Sequence, residues 1–600
     1  MNNIYLFQPQ YTVEVRTEEN HWMPYSVGCL WSYCSQFDDI NEHYNLKRFI
    51  FKRENPDELI DSLEDPFLCA FSCFIWNEQY NLTVAKKIKE KYPNCIIEFG
   101  GPQASEAMLD TYDFIDCIML GGDGEENFLD LLRLLYKGNT FPRVYQRGRI
   151  TDLNIPSPYT SGVFDKLVAD NPEVIWASML ETNRGCPHRC TFCDWGGTTY
   201  GKIHQFALER VVEDINWMVE NKVAYIFVTD ANFGIFGERD IYLAGLLREA
   251  GQNIKSDIED IVIQYSKNSN ENVFKVAEAL GEYCKRGITI SAQSMNQSTL
   301  KAVKRKNLSI KDYSHHMKLA KEYNVRTYTE MILGLPEETL DSWKDGFTTL
   351  LENGQHESID VWFCQVFGNT ELNSNLSREV YGIETIKAED YLSFTNNKNC
   401  IEIKEIVEII NKTNTMSTKD IVDAYLYSWM IIQFHINGYS QIVAKYYKKV
   451  KGISYRKFYD KLLEYIKSDD SLYGLHYKSL YDRLHIYLST GKIVTDGDTG
   501  HSLEMSMAHD FNIFWDNKND VFNLVNSCWE TPEDIFAIQK NFVYNPDTVY
   551  PYEFESSIDF ETGDLTPVKY SMTNHVSEEN RYNLWHIRRC GFDKNILVKL

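Results

Sequence analysis

No run of apolar residues in this 600-residue chain approaches the roughly 18 needed to span a bilayer, so a membrane location is not expected. The opening residues, MNNIYLFQPQ, hold no basic stretch leading into an apolar one. No secretory signal is read there, and the expectation is a cytoplasmic location. Cysteine is sparse, 14 in 600 residues, far below the density of a disulfide scaffold. Most of these stand singly, and several lie in apolar strands (Cys69, Cys73, Cys95, Cys117) and read as small buried thiols. Positive charge is also short: 61 Lys and Arg against 86 Asp and Glu leave a net charge of −25. Such a surface repels phosphates, so nucleic acid is not an expected partner. The densest basic stretch of the central region, Lys301, Lys304, Arg305 and Lys306, reads as a solvated helix face. No GxGxxG follows a strand, so a dinucleotide is not the natural guest, and no internal repeat is visible. Aromatics are plentiful at 14%, and most are expected to build core.

The length excludes a single core, and two to four domains are expected. Residues 1–145 alternate short apolar runs with helical periodicity. Strands are predicted at Ile4–Gln8, Phe49–Lys52, Phe67–Trp76, Cys95–Phe99 and Cys117–Leu120, with helices after the third and fifth. That alternation predicts a Rossmann-like parallel sheet whose ligand lies at the carboxyl ends of its strands. Residues 146–171 open on a polar, Pro-containing stretch and read as a linker. Over 172–372 a second series predicts strands at Ala177–Glu181, Tyr225–Thr229, Ile261–Tyr265, Ile288–Gln293, Arg326–Leu333 and Asp360–Phe367. Six βα units make a partial (β/α)6 barrel, so the fold class is α/β. Residues 373–600 read as a mainly helical domain, rich in aromatics between Tyr425 and Tyr465, with further helices at Tyr477–Leu488 and Leu503–Val525 and strands within Tyr550–Phe560. It is expected to cap the barrel and contact substrate.

Three cysteines do not stand singly. Cys186, Cys190 and Cys193 fall within eight residues, directly after the first barrel strand. Three thiolates can wrap a small inorganic core and leave one iron of a [4Fe–4S] cluster without a protein ligand. A zinc site is the competing reading, with His188 or Asp194 as a fourth ligand, but zinc usually takes paired CxxC units. His188 is expected not to ligate.

The C-x3-C-x2-C spacing, with Phe192 before the last cysteine and Arg184-Gly185 ahead of the first, resembles the signature of the radical S-adenosylmethionine (SAM) superfamily. The resemblance implies a [4Fe–4S] cluster and SAM as cofactors. Asp230 and Asn232 end the second barrel strand and resemble the segment that meets the SAM amino group. Ser291 and Gln293 end the fourth, where this family reaches the ribose or carboxylate. Glu330, Gly334 and Leu335 end the fifth and resemble the strand that flanks adenine.

The first 145 residues resemble the cobalamin-binding domain that precedes the barrel in cobalamin-dependent (class B) members of that superfamily. The resemblance rests on Ser72, Phe74 and Trp76, on Gly100-Gly101-Pro102-Gln103, and on Gly122, Gly124 and Glu125. Glycines there would let backbone approach a corrin. These residues lack the Asp-x-His-x-x-Gly motif of proteins that ligate cobalt with histidine. The lower face of a bound cobalamin is therefore expected to lack histidine, with Trp76 as the apolar candidate beneath cobalt.

The implied function is cleavage of SAM to a 5′-deoxyadenosyl radical, with cobalamin-dependent methyl transfer to an unactivated carbon of a small molecule or peptide. An external one-electron reductant is implied. Two alternatives stand beside it: a radical rearrangement, cyclisation or oxidation without methyl transfer, and a non-catalytic binding protein with a structural metal.

Overall fold

The structure, a computed structural model, describes residues 1–10, 20–194, 201–267, 271–390, 403–494, 514, 517–543, 551–560, 564–573 and 596–599. Near the amino terminus six parallel strands form one sheet. They are β1 (Asn2–Gln10), β3 (Tyr44–Lys52), β4 (Pro66–Ser72), β5 (Ile96–Gly100), β6 (Cys117–Met119) and β7 (Val144–Tyr145), in the order β3-β1-β4-β5-β6-β7. The apolar run Phe67–Phe71 suits β4 because helices cover both faces of the sheet there. The order reverses at β1, whose neighbours β3 and β4 both follow it in sequence, and a ligand belongs at such a switch.

The strand predicted over Phe67–Trp76 stops at Ser72. Asn77 ends it: its amide donates to Pro9 O (3.1 Å) and Ser72 O (3.0 Å), and its carbonyl accepts from Phe74 N (2.8 Å). The chain from Cys73 to Trp76 thus turns across the carboxyl edge of the sheet.

The barrel strands are β8 (Ile175–Leu180), β11 (Tyr225–Phe233), β12 (Asp260–Tyr265), β13 (Ile288–Thr289), β14 (Thr327–Leu333) and β15 (Ile359–Phe363), with a two-residue hairpin pairing, β9 (Asn183–Arg184) and β10 (His204–Gln205), at the mouth. They form two parallel sheets, one of which carries an unexpected strand. β2 (Asn20–Trp22) comes from the amino-terminal stretch, yet it pairs parallel with β8, giving the order β2-β8-β11-β12 beside β13-β14-β15. Trp22 joins Ala177, Tyr225 and Val262 in an apolar floor inside the barrel. β13 is shorter than the predicted Ile288–Gln293 because the pairing slips by one residue: Thr289 faces Tyr328, and Gln293, at φ +62°, faces Met331.

Beyond the barrel, β16 (Glu384–Glu389) and β17 (Ile406–Lys412) pair antiparallel. β17 also bonds to the chain leaving β15, through Val366 N to Glu408 O (2.8 Å) and Ile410 N to Cys364 O (3.0 Å). Helix Thr418–Met430 continues through a π-helical turn, Ile431–Ile436. It is tied to barrel helix Leu340–Glu352, where Trp343 Nε1 donates to Ala424 O (3.2 Å) and Ser428 Oγ (3.0 Å). The aromatics expected here to read a substrate fill core instead: Tyr425, Tyr427, Trp429, Phe434 and Phe458 are buried. Leu472–Thr490 and Lys518–Trp529 are helical, while residues 503–513 of the helix predicted at Leu503–Val525 lie outside the described residues. A small antiparallel sheet, β18 (Tyr552–Ser556), β19 (Val568–Thr573) and β20 (Ile596–Lys599), follows. Among the described residues, no helix is long and apolar enough to cross a membrane.

Candidate functional site

The loop carrying the three cysteines is held from four sides. Gly185, at φ +125°, lets it turn, since a Cβ there would meet Lys202 O at 2.9 Å. Gly201 N donates to Cys186 O (3.1 Å), Thr191 N to Val303 O (3.0 Å), and Leu372 N to Thr191 O (2.9 Å). Cys186 and Cys190 are buried and Cys193 is partly exposed; none of the three is in a disulfide. Two donors face the sulfurs. Asn232 Nδ2 lies 3.4 Å from Cys186 Sγ, and Arg305 Nη1 lies 3.9 Å from Cys190 Sγ. Sulfurs that hold an iron–sulfur cluster accept hydrogen bonds from such donors, so the residues fit such a cluster.

Arg305 corrects the expectation of a solvated basic face. The helix Gln297–Ala302 ends before it, and the chain turns inward. Arg305 is buried, with Nε on Asn307 Oδ1 (2.7 Å) and Nη2 on Ser291 O. Asn307 Nδ2 in turn donates to Ala292 O (2.7 Å) and Ser294 O (2.9 Å). Together the two side chains shape the strained turn at Gln293, where sparsely populated backbone signals a functional constraint.

The SAM residues implied by the resemblance divide. Asn232, Ser291, Gln293 and Glu330 lie at or beyond the carboxyl ends of their strands, with Ser291 Oγ donating to Glu330 Oε2 (2.6 Å). Phe192 and Leu335 pack in one apolar cluster with Cys190, and Gly334 turns the chain there at φ +99°. Asp230 is a correction. Its carboxylate is spent on the residues before the cysteine loop: Oδ1 accepts from Thr182 N (2.8 Å) and Asn183 N (3.1 Å), Oδ2 from Asn183 Nδ2 (2.6 Å) and the Thr182 hydroxyl. Burial pushes its acid up to about 7 against those bonds. Asp230→Ala orphans several buried donors at once and is expected to cost about 2–4 kcal/mol in urea unfolding. Iron retained per chain should fall with it, and an iron content matching wild type would refute this positioning role.

The amino-terminal loops meet the barrel mouth. Gly101, at φ +96°, packs against Cys73, whose carbonyl a Cβ would meet at 2.7 Å. Asn369, beyond β15, donates to Pro102 O (2.8 Å) and Ala104 O (3.0 Å), fixing the loop that holds Gly100 and Gln103. Gly122 serves chain packing, since a Cβ would meet Arg147 O at 2.9 Å. Glu125, placed by the resemblance on the corrin, faces the cysteine loop instead. It accepts from Arg184 Nη2 (2.8 Å), whose Nε binds Glu181 (3.0 Å), with Asp123 at 3.6 Å from Nη1. Gly124 precedes the helix that Glu125 begins, close to Leu30.

Ser72 ends β4, and Phe74 and Trp76 stack beyond it with centroids 4.4 Å apart. Trp76 Nε1 is buried without a partner. So are Gln8 Nε2, Glu98 Oε1, the Tyr145 hydroxyl and both amide atoms of Asn127. Buried polar atoms are nearly always paired, so this group along the carboxyl half of the sheet fits a bound polar molecule. Cobalamin is such a molecule, and the Trp76 ring and the glycine loops suit its broad face.

Burial pushes the Glu98 carboxyl up to about 8. The unfolded chain ionises near the ordinary 4.5, so between these values it binds fewer protons than the fold. Stability contributed by the protonated acid is therefore lost as pH rises from about 4.5 to about 8. Glu98→Gln should flatten this decline in urea midpoints; an unchanged slope would count against a buried acid.

Sequence reasoning missed Arg305, Asn307, Asn369 and the Arg184–Glu125 bridge. Arg184 was visible as the residue two before Cys186, but its partners were not.

Comparison with known proteins bears on this site. A family model described as the radical SAM superfamily matches residues 180–348. The cobalamin-dependent radical SAM methyltransferase TokK of Streptomyces tokunonensis is 30% identical over 475 residues, covering 75% of this chain and 69% of that protein. The 2-(S-pantetheinyl)-carbapenam-3-carboxylate methyltransferase of Streptantibioticus cattleyicolor is 31% identical, covering 74% and 68%. Among solved structures, TsrM from Kitasatospora setae with cobalamin and a [4Fe-4S] cluster bound matches with TM-score 0.52 at 13% identity, over 82% of this chain and 99% of that one. OxsB with aqua-cobalamin and S-adenosylmethionine bound matches with TM-score 0.51 at 14% identity, over 90% and 84%.

Proposed function

The chain belongs to the radical SAM superfamily, among its cobalamin-dependent methyltransferases, and we propose that Cys186, Cys190 and Cys193 hold its cluster and that Trp76 underlies its cobalamin. The observation that carries the ligand assignment is the pair of donors, Asn232 and Arg305, set against two buried sulfurs within the matched segment. When bound, the cluster, SAM and cobalamin together supply a carbon radical and a methyl group to quench it.

The chain's own residues position and enclose. Asn232 and Arg305 orient and polarise the thiols, Ser291 and Glu330 offer polar groups beside them, and Phe192 with Leu335 keeps water from the cluster side. The Trp22 and Tyr225 floor closes the barrel from below. Asn369 and Arg184 tie the mouth to the amino-terminal loops, so the two reaction centres keep a fixed separation. The relative that acts on a pantetheinylated carbapenam carboxylate makes a carboxylated thioether the first substrate class to test.

The test is anaerobic reconstitution of the full chain with iron, sulfide and hydroxocobalamin. About four irons per chain are expected. With substrate, S-adenosylhomocysteine and 5′-deoxyadenosine should form in equal amounts; 5′-deoxyadenosine alone would replace methyl transfer with a rearrangement or oxidation.

A further inference from the structure

Arg184 stands two residues before Cys186, and its side chain is 10% exposed. Its guanidinium meets three carboxylates from two distant parts of the chain. Nε donates to both oxygens of Glu181, at 3.0 and 3.1 Å, directly after β8. Nη2 pairs with Glu125 (2.8 Å) and Nη1 faces Asp123 (3.6 Å), both in the turn that follows β6. Asp123 and Glu125 are 9% and 4% exposed, so water does not stand in for these contacts. The Phe206 ring lies 5.4 Å from the guanidinium, and His204 of β10 is the strand partner of Arg184.

The same turn borders the cobalamin region. A Cβ on Gly121, at φ +59°, would meet nothing within 4 Å, so this glycine faces open space at the carboxyl end of β6. Gly122 follows at φ +58°, and two successive glycines have many other conformations open to them. Asp123 holds this one, its Oδ2 accepting from Ile150 N (2.7 Å). Helix Glu125–Tyr136 begins directly afterwards. Its first turn carries Glu125, bound to Arg184, and Asn127, whose unpartnered amide was read above as meeting the corrin. One ion-pair network thus joins the turn beside the corrin to the residue that leads, through Gly185, into Cys186.

We propose that Arg184 couples the two cofactor sites, so that a corrin on the amino-terminal domain and a cluster on the cysteine loop each tighten the binding of the other. The inference rests on the cofactor assignments made above and goes beyond a fixed separation of the two centres. Ordering the Gly121–Glu125 turn and ordering the cysteine loop both cost conformational entropy. Arg184 merges the two costs, because one planar fork holds Glu125 and Glu181 in a single geometry. Three buried carboxylates repel one another wherever that fork is displaced, so the network is set or broken as a unit. The first cofactor to bind meets the ordering cost, and the second finds its site already set. Linkage makes the effect reciprocal.

The test is titration of hydroxocobalamin, followed by absorbance, into the full chain with its iron–sulfur cluster reconstituted and into the same chain left iron-free. In wild type the cluster should tighten corrin binding by roughly tenfold. In Arg184→Lys, which keeps the charge but has no fork, that ratio should fall to about one. Asp123→Asn/Glu125→Gln leaves Arg184 on Glu181, should give the same result, and carries the test if Arg184→Lys does not fold. Hydroxocobalamin should also slow the loss of iron to a chelator in wild type and in neither variant. Equal affinities in iron-loaded and iron-free wild type would overturn the proposal, as would variants that keep the wild-type ratio. Variants that bind corrin more weakly by the same factor with and without iron would also overturn it, since Arg184 would then only support the fold. Wild type that takes up no iron, or no corrin, would sink the cofactor assignment together with the coupling, whereas wild type that loads both independently would sink the coupling alone.

Discussion

Cys186→Ala, Cys190→Ala and Cys193→Ala will each reduce 5′-deoxyadenosine formation to background, a loss of at least about 10³-fold, or about 4 kcal/mol of barrier. The reason is the loop's geometry. Cys186 and Cys190 are buried, each faced by a donor, and the backbone between them is pinned to Val303 and Leu372, so no other thiol can move in. Cys364 supplies the control. It is buried in the same apolar cluster as Cys190, but its thiol donates to the next residue's carbonyl, Gln365 O (4.0 Å), and burial pushes it up to about 12. Its sulfur faces an acceptor where those of Cys186 and Cys190 face donors, so it is not placed as a ligand. Cys364→Ala should keep its iron and its 5′-deoxyadenosine, at a stability cost of about 1 kcal/mol. Iron retention in Cys186→Ala, or iron loss in Cys364→Ala, would reverse the assignment.

What could be read from the chain, and what could not, follows from the range of the forces involved. Strands β1, β4, β8, β11 and β14 announce themselves because period and apolarity are local properties, and the cysteine loop because its spacing is. β2 is three residues long and finds its partner, β8, more than 150 residues later, so no window over Asn20–Trp22 contains the information. Asp230 looked like a ligand group because acids at strand ends often are. Its true partners, Thr182 and Asn183, sit 48 and 47 residues away. A helical period continued past Ala302 makes the basic run one face. Instead Val303 ends the helix, Arg305 turns in, and only the lysines remain outside. The aromatic stretch after Tyr425 fits core and pocket equally well as a string of letters. Contact with Trp343 on a barrel helix decides for core.

Glu405→Ala will destabilise the fold by about 3–5 kcal/mol, because it leaves a buried guanidinium without its counter-charge. Arg53 and Glu405 are 352 residues apart and pair at 2.6 Å with side chains 1% and 0% exposed. The pair joins three segments. Arg53 Nη1 also donates to Trp76 O (3.0 Å), and Nη2 to Ile403 O (2.8 Å). Glu405 accepts from Gln79 N (2.7 Å) and Tyr80 N (3.2 Å), the first turn of helix Glu78–Lys91, where a carboxylate is favoured. Glu405 immediately precedes β17, which is bonded to the rim of the barrel at Cys364 and Val366, so the pair links that rim to the Trp76 turn. Removing one charge and removing both should therefore differ. Arg53→Met/Glu405→Leu fills the site with apolar volume and should recover most of the urea midpoint lost in Glu405→Ala. It cannot replace the bonds to Trp76 O, Gln79 N and Tyr80 N, so the turn that carries Trp76 should stay displaced in a chain that is otherwise stable. That separation is measurable: the double variant should unfold near the wild-type midpoint yet bind hydroxocobalamin about tenfold more weakly, a loss of about 1.4 kcal/mol. If stability and corrin affinity return together, the pair is holding the fold and not the turn.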